Sequence, residues 1–109
     1  MTGRALLTEA QWQRRVTDLA DRRGWLWVHH RPARTNQGWR TPVSGPLGVG
    51  WPDLILVRGD RLVAVELKSS TGRPTADQSA ALAALAQVRH VQALLARPSE
   101  WGQMQELLR

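Results

Sequence analysis

The stretch from Asp53 to Lys68 constrains the fold more than any other part of the chain. It contains two runs rich in β-branched and aliphatic residues, 53–58 and 61–68, separated by Gly59-Asp60. Two such runs around a dipeptide that begins with glycine predict a β-hairpin with a type II′ turn. Both runs are apolar on both faces, which predicts strands that are covered on each side.

The register of this hairpin places charged side chains together. If Gly59 and Asp60 form the loop, Arg58 pairs with Arg61 and paired positions sum to 119, so that Asp53 lies opposite Glu66. Directly opposed residues have Cβ atoms about 4.5–5.5 Å apart, and two carboxylates at that spacing repel. Since burying either one unpaired costs several kcal/mol, a cation must compensate.

Lys68 lies on the same strand face as Glu66, because residues i and i+2 of a strand point the same way. It is the only lysine among fifteen basic residues. Lysine is a compact charge whose pKa moves on burial, which favours a chemical role over bulk charge. One ammonium cannot neutralise two carboxylates and leave room for substrate, whereas Mg²⁺ or Mn²⁺ suits oxygen ligands at this density.

Two capping boxes mark helices before and after the hairpin. Thr8 with Gln11 predicts a helix that ends before Gly24, and Thr75 with Gln78 predicts another through about Val88. The apolar face of the first helix carries the core residues Trp12, Val16 and Leu19. By its spacing, Glu9 projects from the same face. Gln78 points inward from the start of the second helix by the same spacing argument.

The remaining elements complete the predicted order. Residues 25–30 and 91–96 read as strands, and Ser99 is expected to cap a last helix that carries Trp101, Met104, Leu107 and Leu108. The order is helix, three strands, helix, strand, helix, in one α/β domain that spans residues 1–109. His29 and His30 could contact phosphate or lie at a strand end. Because neither has a partner at zinc-ligand spacing, we expect strand-end residues there.

Residues 31–51 show no hydrophobic period and are rich in Pro, Gly, Thr and Asn. Irregular segments of this length are functional or disordered. Two interpretations stay open: a loop that orders on nucleic acid, and a plain insertion. The candidate nucleic-acid contacts are those of this segment and one arginine further along: Arg31, Arg34, Trp39, Arg40 and Arg73.

The formal net charge of +6, from fifteen basic and nine acidic residues, favours a polyanionic partner. A basic surface that reflects a GC-rich coding sequence is the alternative. The absence of cysteine excludes disulfides and thiolate metal sites. No apolar run approaches the roughly eighteen residues of a membrane span, and the N-terminus does not resemble a secretory signal, so we expect a cytoplasmic protein without a membrane partner.

Each site residue also has a purely structural interpretation. Asp53 could begin a strand after a turn, and Glu66 with Lys68 could form an exposed pair on an edge strand. Gln78 is explained by its capping box, and Glu9 by the helix dipole, which favours acidic residues in a first turn. Their joint occurrence favours a site, because the register and the inward-facing polar positions would otherwise all be coincidences.

Pro52-Asp53 followed by Glu66-Leu67-Lys68 resembles the metal-binding signature of the PD-(D/E)xK nucleases. With Glu9 upstream and Gln78 downstream the chain resembles the VRR-NUC family in particular, over residues 8–108. The resemblance implies a restriction-endonuclease-like core with a mixed four-stranded sheet flanked by helices. It implies a DNA endonuclease that is selective for branched, flap or Holliday-junction DNA, in a bacterial or phage-encoded homodimer.

The resemblance also implies roles for single residues. Asp53, Glu66 and the backbone carbonyl of Leu67 would bind Mg²⁺ or Mn²⁺, and Glu9 would reach a second ion. Lys68 would orient or help deprotonate the attacking water, and Gln78 would position the site. Two other classes of function stay open: a non-catalytic DNA-binding module on the same scaffold, and a nuclease directed at RNA.

Overall fold

The structure, a computed structural model, describes residues 6–30, 33–36, 38–40 and 43–109, with the backbone alone for residues 33–35, 39 and 40. Its helices and strands are, in chain order, α1 Glu9–Arg22, β1 Leu26–His29, β2 Ala33–Thr35, β3 Gly38–Arg40, β4 Leu54–Arg58, β5 Arg61–Leu67, α2 Ala76–Ala86, β6 Val91–Ala96 and α3 Trp101–Leu107. Single 3₁₀ turns cover Gly48–Gly50 and Pro98–Glu100. None of the helices in the described ranges is long and apolar enough to cross a bilayer.

The main sheet has four strands in the order β1-β4-β5-β6. β4 runs antiparallel to both neighbours, and β6 runs parallel to β5, so the sheet is mixed. The predicted hairpin register is confirmed from Arg58↔Arg61 to Leu54↔Val65. Gly59 has φ of +61°, a conformation in which glycine avoids the Cβ clash of other residues and which the first loop position of a type II′ turn requires.

One face of the sheet packs against α1 and α3. The capping box at Thr8 and Gln11 is present, and it begins α1 so that its predicted core face meets β4 and β5. This core consists of fully buried side chains from both helices and both strands, among them Trp12, Val16, Leu54, Leu56, Val63, Val65, Met104 and Leu108. Trp12 also donates its indole N–H to the carbonyl of Ala96 at 3.0 Å, which anchors the start of α1 to the end of β6.

The opposite face of the sheet packs against α2. The alternate residues of β5, Ala64 and Glu66, point to this face and are buried, as are Ala81 and Leu82 on the helix. The predicted capping box at Thr75 and Gln78 opens α2 with both of its hydrogen bonds. Helices on both sides explain why the centre of β5 carries apolar residues on both faces.

Two expectations differ from the structure. Within the segment expected to be irregular, β2 and β3 form a two-stranded antiparallel ribbon, and Gly48–Gly50 forms a 3₁₀ turn. Strands of three residues are too short to produce a recognisable hydrophobic period. Ser99 does not cap the last helix: it lies inside the Pro98–Glu100 turn, where the side chain of Glu100 accepts the backbone N–H of Arg97 at 2.9 Å.

Candidate active site

A cleft of about 580 Å³ lies at the end of the main sheet at which β4 begins and β5 ends. The start of α1 and the end of β1 form part of its wall, and Gln78 closes it from the start of α2. All five side chains that the sequence analysis proposed as catalytic line this cleft: Glu9, Asp53, Glu66, Lys68 and Gln78.

Asp53 directly precedes β4, one position beyond the last ladder pair, Leu54↔Val65. Its Oδ2 accepts the backbone N–H of Leu67 at 3.1 Å. The carboxylate therefore takes the place of the backbone partner that β5 lacks beyond the end of the ladder. This bond fixes the Asp53 side chain toward β5 and hence toward Glu66.

Glu66 is the most deeply buried charged group of the site, with 1% of its side chain exposed. Its Oε2 lies 3.4 Å from the Nζ of Lys68 and accepts a hydrogen bond from the Nε2 of Gln78 at 3.1 Å. Its other oxygen, Oε1, is buried and has no hydrogen-bond partner among the described residues. A buried carboxylate oxygen without a partner is costly, so this atom marks a place where a proton or a cation would be stabilised.

Burial raises the pKa of Glu66 from 4.5 to about 8, and the charge of the neighbouring Asp53 carboxylate acts in the same direction. Lys68 lowers the pKa of Glu66 but does not offset these two effects. The predicted repulsion between the two acidic groups is therefore present in the folded chain. The site accommodates it by keeping a proton on Glu66 at neutral pH when no other cation is bound.

Gln78 serves the helix cap and the site at the same time. Its Oε1 accepts the backbone N–H of Thr75 at 2.8 Å, while its Nε2 donates to Glu66. Because the cap holds the amide oxygen, the amide nitrogen must face the carboxylate. The structural and functional interpretations of this residue are therefore compatible.

Gly50 brings the start of α2 close to the chain that leads into Asp53. A Cβ atom at Gly50 would lie 2.0 Å from the carbonyl oxygen of Asp77 and 2.6 Å from the backbone nitrogen of Gln78. No other residue fits between these backbones. The two segments are thus in direct contact, which sets the position of Gln78 relative to Asp53.

The carbonyl of Leu67 is the third candidate oxygen donor. Leu67 lines the cleft, and its N–H points to Asp53 rather than to β6. The N–H and C=O of one strand residue point to the same side, so we expect the carbonyl on that side as well. Continuing the register opposes it to Pro52, which has no N–H to donate.

The donor set at the cleft suits some metal ions better than others. Among the described residues no group of three or more His, Cys, Asp and Glu side chains is placed to hold a metal. The candidate donors at the cleft are the two carboxylates of Asp53 and Glu66 and the backbone carbonyl of Leu67. Mg²⁺ is commonly bound by one or two carboxylates and retains several waters, so the unpartnered oxygen of Glu66 beside Asp53 fits this ion and does not fit a closed zinc cage.

The other predicted site residues have different outcomes. Glu9 is exposed at the rim of the cleft rather than inward-facing on the core side of α1. Arg73 is exposed in the loop between β5 and α2, next to Ser70 and Thr71. Arg31 and the side chains of three further candidates lie outside the described residues: Arg34, Trp39 and Arg40.

Four cleft residues were not among the site residues predicted from the sequence: Ala10, Gln13, His29 and His30. The backbone N–H of His30 donates to the carbonyl of Asp53 at 2.8 Å and so continues the β1–β4 register, and finding this residue from the sequence would have required that register. That register needs a fixed pairing of β1 with β4. The sequence between these strands gives no turn of defined length from which to compute it.

Comparison with family models gives no match to this chain, and comparison with curated proteins gives none either.

Proposed function

We propose that this chain is a metal-dependent phosphodiesterase that cleaves DNA, with Mg²⁺ or Mn²⁺ as the cofactor. The observation that carries the proposal is Glu66: a buried carboxyl with one oxygen unpartnered, beside Asp53, and 3.4 Å from the only lysine. A structural ion pair would not require a second acidic group at the same point. Neither would it require a cleft of about 580 Å³ over the charged groups.

The architecture supports assignment to the restriction-endonuclease-like group, and within it to the VRR-NUC type. The mixed sheet carries its acidic residues at the end of an antiparallel hairpin, and a parallel strand follows through α2. In this arrangement Asp53 and Glu66 come from adjacent strands and Gln78 from the crossover helix. The ordered motif in the sequence has a physical basis in that convergence.

The proposed role of the two carboxylates is to hold the ion. When bound, the ion would lower the pKa of a water molecule and neutralise charge that develops on the phosphate. Asp53 is already oriented by the N–H of Leu67, and Glu66 by Gln78, so little reorganisation is needed on binding. Preorganised groups of this kind are the main source of electrostatic catalysis.

The proposed role of Lys68 is to orient the attacking water and to offset negative charge on the phosphate in the transition state. Its side chain is 17% exposed, so the ammonium is at the boundary between the carboxylates and the open cleft. An ammonium in that position can donate hydrogen bonds both to Glu66 and to a ligand. Glu9, at the rim, is proposed to contact the hydration shell of the ion.

We also propose that the active form is a homodimer that acts on branched DNA. β1 is an edge strand of the main sheet, and Leu26 and Val28 on it are 75% and 49% exposed. Sedimentation-velocity measurements over a range of protein concentrations test this part separately. A species of 12.2 kDa at all concentrations would exclude the dimer.

The direct test of the nuclease is incubation with labelled duplex, single-stranded, flap and four-way DNA and with RNA, in Mg²⁺, Mn²⁺ or chelator. We expect cleavage of DNA that requires the metal. Asp53→Ala is expected to abolish it, and Lys68→Ala to lower the rate by at least about 100-fold. Glu106→Ala, which removes an exposed carboxylate far from the cleft, is the matched control.

The outcomes separate the alternative functions. Binding of all substrates with no cleavage in either metal would favour a non-catalytic DNA-binding module. Preferential cleavage of RNA would change the substrate class while keeping the site. Cleavage that survives Asp53→Ala would show that the proposed site is wrong.

A further inference from the structure

The cleft contains one more polar side chain in the same row as the two carboxylates. β1 and β4 pair from Leu26↔Val57 to His29↔Leu54, and the bond from the His30 N–H to the Asp53 carbonyl continues that register by one position. His30 is therefore directly opposite Asp53, as Asp53 is opposite Glu66. Opposed residues of a sheet share a face, so three polar side chains from three adjacent strands form one row.

The Nδ1 of His30 is not accessible to a ligand, which leaves Nε2 as the nitrogen that could bind one. Nδ1 is buried and has no hydrogen-bond partner among the described residues, while the residue as a whole is half-buried and lines the cleft. A buried N–H without an acceptor is rarer in proteins than a buried acceptor without a donor. Because a proton on Nδ1 would be a buried donor without an acceptor, we assign the proton to Nε2, where it can be donated.

The ring is also held in place. It meets the indole of Trp51 edge to face, with centroids 6.2 Å apart and an interplanar angle of 89°. The backbone on one side is fixed by the bond to Asp53 at 2.8 Å. A donor that is fixed in this way loses little conformational entropy when it binds a ligand.

His30 and Lys68 flank the carboxylate pair from different sides. His30 lies at the end of β1, one strand beyond Asp53, and Lys68 follows Glu66 at the end of β5. With strands about 4.8 Å apart, the His30 backbone is roughly 10 Å from that of Glu66. A phosphate bound at the carboxylates would thus have a donor on either side.

We propose that His30 is a further substrate-binding residue: its Nε2–H donates a hydrogen bond to a phosphate oxygen of the bound nucleic acid, on the side of Asp53 away from Lys68. This inference rests on the proposed function, since it takes the phosphate to be held at the carboxylates. It assigns His30 to binding and positioning. The competing explanation is that the ring only packs against Trp51.

Nuclear magnetic resonance on the intact wild-type chain distinguishes these explanations without relying on cleavage. The chain has three histidines, and ¹⁵N labelling of their imidazoles gives a spectrum in which His30 is assigned by its loss in His30→Phe. The probe is thymidine 5′-monophosphate with Mg²⁺, a single phosphate that contains no diester to cleave. His90, at the opposite end of the sheet and exposed, is the internal control.

We expect the Nε2 signal of His30 to shift with the nucleotide while that of His90 does not. A shift of the Lys68 amide without any shift at His30 would overturn this inference and leave the proposed function standing. No shift at either residue would overturn the inference as well, and the cleavage assay then decides the proposed function independently.

Kinetics on a cleavable duplex give a second measurement. His30→Phe keeps an aromatic ring against Trp51 and removes the donor, so we expect KM to rise by about 10-fold or more with a smaller change in kcat. His90→Asn, which tolerates the positive φ of 66° at that position, should leave both constants unchanged. Unchanged KM in His30→Phe would support packing as the only role.

Discussion

At the scale of single residues, the site is defined by a carboxyl group, that of Glu66, whose charged form is destabilised by burial and by a neighbouring carboxylate. Glu66 is buried beside Asp53, and its Oε1 has no partner among the described residues. An added positive charge would stabilise this oxygen. In the absence of a metal ion that charge is a proton, which links the occupancy of the site to pH.

The pKa of Glu66 gives a testable pH dependence of stability. Because the folded pKa of about 8 lies above the ordinary value of 4.5, the folded state retains a proton that the unfolded state loses between these values. The free energy of unfolding of the metal-free chain should therefore be highest below pH 4.5 as far as this group is concerned. It should fall as pH rises toward 8, by an amount on the order of a few kcal/mol.

Urea unfolding in chelator at several pH values between about 5 and 8.5 measures this dependence. Glu66→Gln cannot ionise, so this variant should lose the dependence and be more stable than wild type near pH 8. Added Mg²⁺ should raise the free energy of unfolding of the wild-type protein at that pH, and it should have a smaller effect on the variant. A wild-type profile that is flat with pH would contradict the raised pKa.

Gln78 and Gln11 allow a matched comparison of two capping boxes. Each accepts the N–H of its N-cap threonine, but only Gln78 also donates to a buried carboxylate. Gln78→Glu keeps the capping acceptor and places a carboxylate oxygen against Glu66. We expect a loss of about 1–3 kcal/mol near pH 8 for Gln78→Glu and less than about 0.5 kcal/mol for Gln11→Glu, by urea unfolding. Equal effects would mean that the bond to Glu66 contributes nothing.

At the scale of secondary-structure elements, the position of α2 depends on the contact at Gly50. A methyl group there would overlap the backbone of Asp77, so Gly50→Ala should displace the start of α2 and with it Gln78. We expect a destabilisation of about 1–3 kcal/mol, typical of overpacking, and weaker Mg²⁺ binding measured by calorimetry. Gly102→Ala is the control, since a Cβ there meets nothing within 4 Å, and in α3 it should stabilise by up to about 1 kcal/mol. Unchanged metal affinity in a folded Gly50→Ala protein would contradict a positioning role.

The sequence predicted those elements whose geometry is local. The hairpin register followed from the Gly59-Asp60 turn, and both capping boxes from pairs three residues apart. The opposition of Asp53 and Glu66 therefore follows from counting residues back from the turn. Ser99 was assigned wrongly as a cap because a 3₁₀ turn at Pro98–Glu100 directly precedes α3, so that the residue at the N-cap position is Glu100.

The parts that could not be predicted depend on long-range contacts. His30 reaches the cleft only because β1 pairs with β4, and the segment between these strands carries no signal of defined length. The close contact of Gly50 with Asp77 joins two segments, and no pattern in the sequence of either one predicts that they meet. Glu9 shows the limit of helical periodicity in another way: its spacing assigned it to the core face, but its side chain is exposed at the rim of the cleft.

At the scale of the whole molecule, the dominant feature is an excess of positive charge, little of which is paired with acidic side chains among the described residues. The chain carries a net charge of +6, yet the described residues form only two ion pairs, Lys68 with Glu66 and Arg109 with Glu106. Several arginines instead contact backbone carbonyls and tryptophan rings: Arg58 donates to the carbonyl of Arg23, Arg61 donates to that of Leu107, and both lie over the ring of Trp25. Apart from Arg109, the arginines within the described ranges form no ion pair with an Asp or Glu side chain. Their charge remains available to a polyanion.

DNA binding should accordingly weaken steeply with salt, because neutralised phosphates release counterions. If about four phosphates are contacted, affinity should fall on the order of 100-fold between about 50 and 200 mM salt. Arg73, in the loop at the cleft end of β5, is expected to make one of these contacts, whereas Arg89 lies beyond the far end of the sheet, roughly 17 Å along the strands. Fluorescence anisotropy with labelled duplex should therefore give a logarithmic salt slope lower by about 1 for Arg73→Ala and unchanged for Arg89→Ala. Equal slopes for Arg73→Ala and Arg89→Ala would mean that Arg73 makes no specific phosphate contact. The arginines would then act only through the overall positive potential of the protein.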